Sequence, residues 1–315
     1  MERRELGNSG LKVSPITFGG NVFGWTVDKK QSFKLLDAFV EAGFNFIDTA
    51  DTYSWWVAGN KGGESEAIIG HWFTERKNRD RIILSTKVGS QNNEHPVNVS
   101  KKFILESVEK SLKRLKTDYI DLYQTHFDDE KTPVEETLSA YQQLIDEGKV
   151  RVIGTSNMSP ERIRKSLKAA EKEGLPKYET LQPLYNLMER EKYEHELRGI
   201  VEENNMGVLS YYSLASGFLT GKYRSKSDLD KSERGGGVEK YLNKKGFKVL
   251  EALDKVSEKH GTTQATISLA WLMARPTITA PIVSATTLKQ MESIIKAPQL
   301  RLDEEDMELL NRASN

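Results

Sequence analysis

Four residues that can donate protons or carry charge lie at the ends of short apolar runs or shortly after one. They are Asp48, Tyr53, Lys87 and His126. Reduction of a carbonyl group requires such a set, because hydride reaches the carbon while a proton must reach the oxygen. A tyrosine can supply that proton. A nearby ammonium group favours the phenolate and lowers the phenol pKa, which is ordinarily about 10.

The other three residues can support the tyrosine. Lys87 would be that ammonium group, and Asp48 would keep it charged and oriented, since a lysine after an apolar run is costly to bury unpaired. A neutral His126 can hydrogen-bond the carbonyl oxygen and orient the substrate. Each residue alone has an ordinary structural explanation, such as a turn cap or simple packing. The prediction therefore depends on the four residues lying together.

Short apolar or β-branched runs alternate with segments of helical periodicity, which is typical of βαβ units and a parallel sheet. The pattern predicts strands at 15–18, 44–48, 82–87, 119–126, 150–156, 180–185, 208–212 and 278–283. It predicts helices at 29–42, 64–76, 100–115, 134–147, 160–173, 193–204, 247–259, 263–274 and 303–311. Eight strands favour a (β/α)8 TIM barrel formed by one domain over 1–315, with the four reactive residues on the rim at the strand ends.

Three segments add to the simple alternation. Residues 4–13 are predicted to form a β-hairpin that caps one end of the barrel. The last strand is preceded by two helices, so one of them is additional, and a further helix ends the chain. Residues 224–246 are polar and glycine-rich and predict a mobile loop. Trp72 and Trp271 lie within helical patterns and are predicted to belong to the core.

Composition disfavours several classes of protein. The 46 basic and 46 acidic residues give no net field towards nucleic acid or anionic membranes, and the absence of cysteine excludes disulfides and thiolate chemistry. No secretory signal and no apolar run approaching about 18 residues is visible, which predicts a cytoplasmic protein without membrane insertion. No metal site is predicted, because the remaining histidines lack metal-ligand spacing; they are His71, His95, His195 and His260.

Several stretches, in this order, resemble the aldo-keto reductase superfamily over almost the whole chain. The resemblance is closest to the branch that contains bacterial reductases and potassium-channel β-subunits. It implies NADPH-dependent reduction of a small aldehyde or ketone, with the family's catalytic tetrad on the four residues named above. The stretches are 43–53 (GFNFIDTADTY), 63–66 (GESE) with Gly70, 85–87 (STK), 118–126 (DYIDLYQTH), 148–157 (GKVRVIGTSN) and 219–223 (LTGKY).

The resemblance also implies cofactor contacts. Ser156, Asn157 and Gln182 would hold the nicotinamide carboxamide, and Tyr211 would stack on the nicotinamide ring, which leaves one ring face open for transfer. There is no G-x-G-x-x-G fingerprint, which this family does not use. The cofactor phosphates are expected along 214–222, where small residues permit close backbone approach. The remaining predicted contacts are Gly20, Asn21, Leu214, Ala215, Gly217, Leu219, Gly221, Lys222, Ser284, Thr286 and Gln290.

The sequence departs from the family pattern in two places. The usual Tyr-Ser-Pro-Leu is Tyr-Tyr-Ser-Leu at 211–214, which retains the stacking tyrosine. At the adenosine end the usual basic residue is missing: Thr286 offers only a hydroxyl, and Lys289 lies nearby. A 2′-phosphate is best bound by an arginine or lysine. NADPH is still the first expectation, because the resemblance implies it, and NADH is the alternative because the basic residue is missing.

Four aromatic residues are candidates to line the substrate pocket, namely Trp25, Trp55, Trp56 and Phe127. The alternative is that the tryptophans pack on the barrel rim or on a partner chain. The choice of natural substrate is expected to depend on variable loops such as 91–99 and 224–246. The sequence leaves open whether the protein is a monomer or a homo-oligomer.

Three other functions are compatible with some of these residues. A Schiff-base aldolase would use Lys87 as a nucleophile, but Asp48 would keep the lysine charged. A redox-sensing subunit with little turnover fits the potassium-channel branch. A divalent-metal site could combine His126 with the acidic residues Asp51, Asp128 and Asp129, but no His-x-His run is present.

Overall fold

A curled, all-parallel sheet of eight strands forms the centre of the computed structural model, which describes residues 2–315. A separate antiparallel hairpin of β1 (Arg4–Glu5) and β2 (Lys12–Val13) precedes the sheet. The sheet order is β10-β3-β4-β5-β6-β7-β8-β9. Its strands are β3 (Thr17–Gly19), β4 (Phe46–Asp48), β5 (Ile83–Val88), β6 (Ile120–Thr125), β7 (Val150–Ser156), β8 (Thr180–Gln182), β9 (Gly207–Val208) and β10 (Ile282–Val283).

Helices follow the strands and cover the outer face of the sheet. They are α1 (Lys29–Glu41), α2 (Glu64–Arg76), α3 (Lys101–Leu115), α4 (Val134–Asp146), α5 (Pro160–Glu173), α6 (Arg198–Asn204), α7 (Lys244–Lys259), α8 (Gln264–Met273), α9 (Leu288–Lys296) and α10 (Glu304–Ser314). A π-helical turn, Tyr193–Leu197, leads into α6. Among residues 2–315, no helix combines the length and apolar character needed to cross a bilayer.

The two edges of the sheet are joined by backbone hydrogen bonds. The N–H of Ile282 donates to the carbonyl oxygen of Ser210 at 2.8 Å, and the N–H of Ala280 donates to that of Val208 at 3.2 Å. These bonds connect the segment after β9 to the segment that leads into β10. Along a strand, alternate residues point either towards the inner, concave face of the sheet or outwards to the helices.

The interior is apolar at the end of the sheet where the strands begin. Phe46, Leu122, Val152 and Leu209 cluster there and are nearly or fully buried. The hairpin covers this end by packing its own apolar side chains into the same cluster, as the sequence predicted; they are Leu6, Leu11 and Val13. Beyond this layer the inward positions become polar, and those positions carry the candidate site.

The segment expected to be a mobile loop, 224–246, has local structure. It contains the 3-10 helices Lys226–Lys231 and Gly235–Tyr241, and the hydroxyls of Tyr223 and Ser232 lie 2.6 Å apart. Helix α7 begins earlier than predicted because the Asn243 side chain accepts from the N–H of Gly246. Trp72 and Trp271 are fully buried, which confirms their predicted place in the core.

Helix α9 was not predicted. Its apolar side chains recur at helical spacing, with Met291 and Ile294 buried and Leu288 exposed. The side chain of Thr287 accepts from the N–H of Gln290 and starts the helix. The segment is short and follows a strand of only two residues, so the pattern was too brief to separate the helix from the loop.

Candidate active site

Lys87 is buried where two strand ends meet and uses its three N–H donors on three oxygens. Its Nζ lies 2.6 Å from Oδ2 of Asp48, 2.7 Å from the carbonyl oxygen of Thr49 and 2.9 Å from the phenol oxygen of Tyr53. The side chains of Lys87 and Asp48 are 0% and 1% exposed. They lie on neighbouring parallel strands, and Tyr53 is supplied by the loop that follows β4.

The second carboxylate oxygen of Asp48 is held from the interior of the sheet. Oδ1 accepts from the Ser85 hydroxyl at 2.9 Å and from the amides of Gln182 at 3.1 Å and Gln124 at 3.3 Å. An ionised carboxylate only accepts hydrogen bonds, so this set of donors suits a charged Asp48. Both oxygens of the carboxylate are thereby fixed, one by charge and one by neutral donors.

Charges and burial set the protonation states of this cluster. Burial disfavours the Lys87 ammonium, but Asp48 and Tyr53 outweigh burial, so the pKa of Lys87 is raised. Burial raises the pKa of Tyr53 above its ordinary value, and the nearby Lys87 charge only partly opposes the rise. The lowering expected from the ammonium is therefore smaller than the effect of burial. Tyr53 is protonated near neutral pH and can act as a proton donor.

His126 follows β6 and faces Tyr53 edge-on, with ring centroids 6.0 Å apart. Burial, and then the Lys87 charge, hold the pKa of His126 well below its ordinary value, so the imidazole is neutral near pH 7. Its Nδ1 is buried and has no hydrogen-bond partner among residues 2–315. A neutral imidazole with spare hydrogen-bonding capacity can bind a polar group of a ligand.

A cavity of about 1620 Å³ opens above these residues. Asp48, Tyr53 and His126 line its floor, and all four predicted substrate residues line it as well. The predicted cofactor residues that line the cavity are Asn21, Ser156, Asn157, Gln182, Tyr211, Leu214, Gly217, Lys222, Ser284, Thr286 and Gln290. Four other predicted cofactor residues do not line it, namely Gly20, Ala215, Leu219 and Gly221.

Side chains on one wall of the cavity are linked by hydrogen bonds. Asn157 has a left-handed backbone, and its amide donates to the carbonyl oxygen of His126 at 3.0 Å. Its Oδ1 accepts from the Tyr211 hydroxyl at 2.9 Å. Ser156 donates to the carbonyl oxygen of Gln182 at 2.8 Å. The sequence grouped these four polar residues by resemblance, and the structure brings them together next to the Asp48–Lys87 pair.

The opposite end of the cavity is bordered by the start of α9. Ser284 donates at 2.7 Å to the carbonyl oxygen of Gly19, and its hydroxyl lies 2.6 Å from Oδ1 of Asn21. Gln290 accepts from the N–H of Thr286 at 2.8 Å. Lys289 also lines this end. The first N–H groups of a helix and a nearby lysine favour a negatively charged group.

Aromatic rings form the outer part of the cavity. Trp56 lies edge-on to Trp25 at 5.6 Å and to Tyr53 at 6.3 Å between ring centroids. Trp56 is 42% exposed and Phe127 38% exposed. Tyr212, which the sequence did not single out, is also exposed and lines the same region.

Arg234 is a further charged residue that the sequence did not single out. Its guanidinium lies 5.4 Å above the Trp25 ring, and it lines the cavity. Its Nη2 is buried without a hydrogen-bond partner in the part of the chain that the structure describes. Burial lowers the pKa of Arg234. The only sequence signal was an arginine in a polar, glycine-rich segment, which is more often a solvated charge.

The geometry disfavours two of the earlier alternatives. The three acceptors around Lys87 oppose its use as a free amine nucleophile. Asp128 is paired with Arg162 at 2.6 Å, and Asp129 accepts from the backbone and hydroxyl of Thr132. Within residues 2–315 no cluster of three or more acidic or histidine side chains could hold a metal ion.

Comparison with known proteins agrees with this geometry. Residues 15–315 match the model of the aldo/keto reductase family. The chain is 35% identical to the uncharacterized oxidoreductase YrpG of Bacillus subtilis over 99% of this chain and 95% of that protein. It is 33% identical to the aldo-keto reductase YhdN of Bacillus subtilis, over 99% and 93% of the two chains. It is also 33% identical to a probable voltage-gated potassium channel subunit beta of Arabidopsis thaliana, over 94% and 91%. The chain therefore belongs to the aldo/keto reductase family of oxidoreductases.

Proposed function

We propose that this protein reduces an aldehyde or ketone to an alcohol with NADPH, and that Tyr53 donates the proton. The observation that carries the proposal is the contact of Tyr53 with Lys87, which is itself paired with Asp48 at the floor of a large cavity. The raised pKa of Tyr53 keeps the phenol protonated at neutral pH, and the lysine beside it can stabilise the phenolate once the proton has left.

Each residue of the site has its own role in the proposed reduction. The reduced nicotinamide, when bound, supplies the hydride that reaches the carbonyl carbon. Tyr53 transfers its phenol proton to the carbonyl oxygen, so that the substrate leaves as an alcohol. Lys87 balances the negative charge that forms on the phenol oxygen, and Asp48 keeps Lys87 protonated. Neutral His126 donates a hydrogen bond to the carbonyl oxygen of the substrate and orients the carbonyl.

The cavity residues fit a nicotinamide dinucleotide. Ser156, Asn157 and Gln182 offer amide and hydroxyl groups for a carboxamide, and the ring of Tyr211 offers a stacking surface beside them. The backbone turn at 215–217 has positive φ at each residue, which turns the chain sharply beside the cavity. Lys222 offers a positive charge next to this turn.

Arg234 is proposed as a second positive charge for the diphosphate. The helix Gly235–Tyr241, which follows it directly, packs over the turn Ala215–Thr220. A buried guanidinium nitrogen without a partner among residues 2–315 suits an anionic ligand group, because an unpaired buried donor is otherwise costly.

NADPH is preferred to NADH on the charge at the adenosine end. Thr286, Lys289 and Gln290 lie at the start of α9 and line the cavity. Their combination of a lysine, a hydroxyl and helix N–H groups favours an additional phosphate.

The fold proposed for this function is a closed (β/α)8 barrel formed by one domain. The backbone bonds from Ile282 to Ser210 and from Ala280 to Val208 support closure, and the hairpin packs against the end away from the cavity. One of the two α-helices before β10, and α10 after α9, are additions to the repeated strand–helix unit.

A regulatory subunit that binds the cofactor with little turnover is the second candidate. It is favoured by the identity to a protein named as a probable channel subunit beta. The intact contacts among Asp48, Lys87 and Tyr53 favour turnover instead.

The test is a titration of tryptophan and tyrosine fluorescence with NADPH and with NADH, followed by turnover with a panel of aldehydes and ketones. The reductase proposal predicts tight NADPH binding and substrate-dependent loss of NADPH absorbance. Binding without turnover of any carbonyl would favour the regulatory subunit. Absence of binding to either nucleotide would contradict both.

A further inference from the structure

Gln124 lies inside the sheet, directly beneath the reactive cluster. It lies on β6, two residues before His126, and is paired in register with Lys87 on β5. Its side chain is fully buried. It is not among the residues that line the cavity, so a bound substrate or cofactor would not contact it.

The amide nitrogen of Gln124 donates to two atoms that belong to the Asp48 environment. Nε2 lies 2.8 Å from the hydroxyl oxygen of Ser85 and 3.3 Å from Oδ1 of Asp48. Ser85 in turn donates to the same Oδ1 at 2.9 Å. Because a carboxylate accepts only, the NH2 end of the amide must face Asp48. Gln124 therefore contacts Asp48 both directly and through Ser85.

We infer that Gln124 is a positioning residue for the reaction, because it fixes the Asp48 carboxylate in the orientation that pairs with Lys87. The inference rests on the proposed reductase function. A carboxylate bound at one oxygen only can rotate about its side chain, whereas one bound at both oxygens has a single orientation. Oδ2 is bound by Lys87, so the orientation depends on the donors at Oδ1.

Gln182 cannot replace Gln124 in this role. Gln182 also donates to Oδ1, at 3.1 Å, but it lines the cavity and is proposed to bind the cofactor carboxamide. A ligand that recruits the Gln182 amide would weaken its bond to Asp48. Gln124 and Ser85 are shielded from the cavity and keep their bonds whether or not a ligand is bound.

Gly154 provides the space in which the Gln124 side chain lies. It is the register partner of Gln124 on β7. A Cβ atom at this position would lie 3.2 Å from Cγ and 3.3 Å from Oε1 of Gln124 and would collide with the hydroxyl of Thr180. A larger residue would therefore force the amide to move. Glycine at position 154 is consistent with a Gln124 side chain that has to hold a single conformation.

The experiment compares Gln124→Met with Gln124→Glu in the full-length protein. Methionine has a similar length but no donor, so kcat is expected to fall about tenfold, while KM and the NADPH Kd change less than about twofold. Matched controls are Gln143→Met and Gln143→Glu, since Gln143 is on α4 and its side-chain amide donates to the exposed Glu147. The controls are expected to keep the wild-type kcat.

The pH dependence of kcat for Gln124→Glu distinguishes a positioning role from a purely structural one, which would give no such dependence. The charged groups facing this position are Asp48 and Lys87, while the bordering residues Ser85, Thr180 and Gln182 are uncharged. Burial and the Asp48 charge favour the protonated form of the new carboxyl group, which regains an O–H donor towards Asp48. The ratio of variant to wild-type kcat is therefore expected to rise several-fold as pH falls from about 8 to about 6.

The outcomes separate this inference from the proposed function. A wild-type protein that turns over no carbonyl compound contradicts the reductase proposal itself. A wild-type protein that is active, with a methionine variant of unchanged kcat or a glutamate variant whose ratio is independent of pH, contradicts the positioning role of Gln124. Thermal unfolding and NADPH binding of each variant show whether it is folded, and the pH-dependent ratio is measured within one folded variant.

Discussion

The ammonium nitrogen of Lys87 lies 2.9 Å from the phenol oxygen of Tyr53 and 4.7 Å from the centre of the same ring. One buried cation thus contacts both the hydroxyl and the ring face of the tyrosine. The loop that carries Tyr53 is tied to β5, since the N–H of Asp51 donates to the carbonyl oxygen of Lys87 at 3.2 Å. The tyrosine is consequently held against the lysine by its own loop.

Replacement of Tyr53, the proposed proton donor, gives the most direct prediction. Tyr53→Phe is expected to lower kcat for aldehyde reduction by about 100- to 10,000-fold, the usual contribution of general acid catalysis, because only the hydroxyl is lost. NADPH affinity, measured by fluorescence titration, is expected to stay within about twofold of wild type. The matched control is Tyr119→Phe, since the Tyr119 ring is sandwiched by Arg79 and Arg151 at the opposite end of the sheet. Near-wild-type turnover by Tyr53→Phe would remove Tyr53 from the mechanism.

Removal of the carboxylate should affect both rate and stability. Asp48→Asn leaves the buried Lys87 without its counter-charge, which is expected to cost about 3–5 kcal/mol of unfolding free energy. In the wild type the raised pKa of Lys87 adds stability below pH 10.5, its ordinary pKa, and that stability is lost as pH rises through the higher folded-state pKa. Urea unfolding near pH 7 measures the loss. Glu203→Gln, which breaks an exposed ion pair with Arg164, should change stability little.

Much of the site was predictable from the sequence, because residues at the ends of neighbouring parallel strands must lie at the same edge of the sheet. In parallel strands that follow one another in a sheet, the residues that end successive apolar runs must meet at the same edge. Asp48 and Lys87 therefore had to be neighbours once the strands were recognised. The hairpin cap was similarly predictable from a short alternating pattern with turn residues.

Other features depend on packing between distant segments and could not be predicted in this way. Arg234 contacts Trp25, which is more than two hundred positions away in the sequence. No local sequence pattern could predict that contact. Helix α9 was too short for its periodicity to separate it from the loop. The sequence did carry a signal for Gln124: it lies two residues before His126 in the predicted strand 119–126, so both side chains are expected on the same inner face.

Asp51 is expected to make stability depend on pH. Burial, reinforced by repulsion from Glu66, raises its pKa to about 8, against opposing contributions from Arg114 and Lys87. Because the folded-state pKa is above the unfolded value of 3.8, the stability due to this group is complete below about pH 4 and is lost by about pH 8. Relative to wild type, Asp51→Asn should therefore gain stability as pH rises across this interval. Chemical unfolding at several pH values tests this, with Asp118→Asn as the control for loss of an exposed carboxylate.

The start of α9, which is proposed to bind the adenosine end of the cofactor, gives a prediction about the choice between NADPH and NADH. Lys289→Met removes the lysine nearest the start of α9, so the Kd for NADPH should rise about three- to tenfold while that for NADH stays nearly constant. The effect should shrink at higher ionic strength, because Lys289 is exposed and its interaction with a phosphate is screened by salt. Lys296→Met, at the other end of the same helix, is the matched control. Equal weakening of the binding of both nucleotides by Lys289→Met would mean that the lysine contacts a group they share, and would contradict the proposed basis for a preference for NADPH.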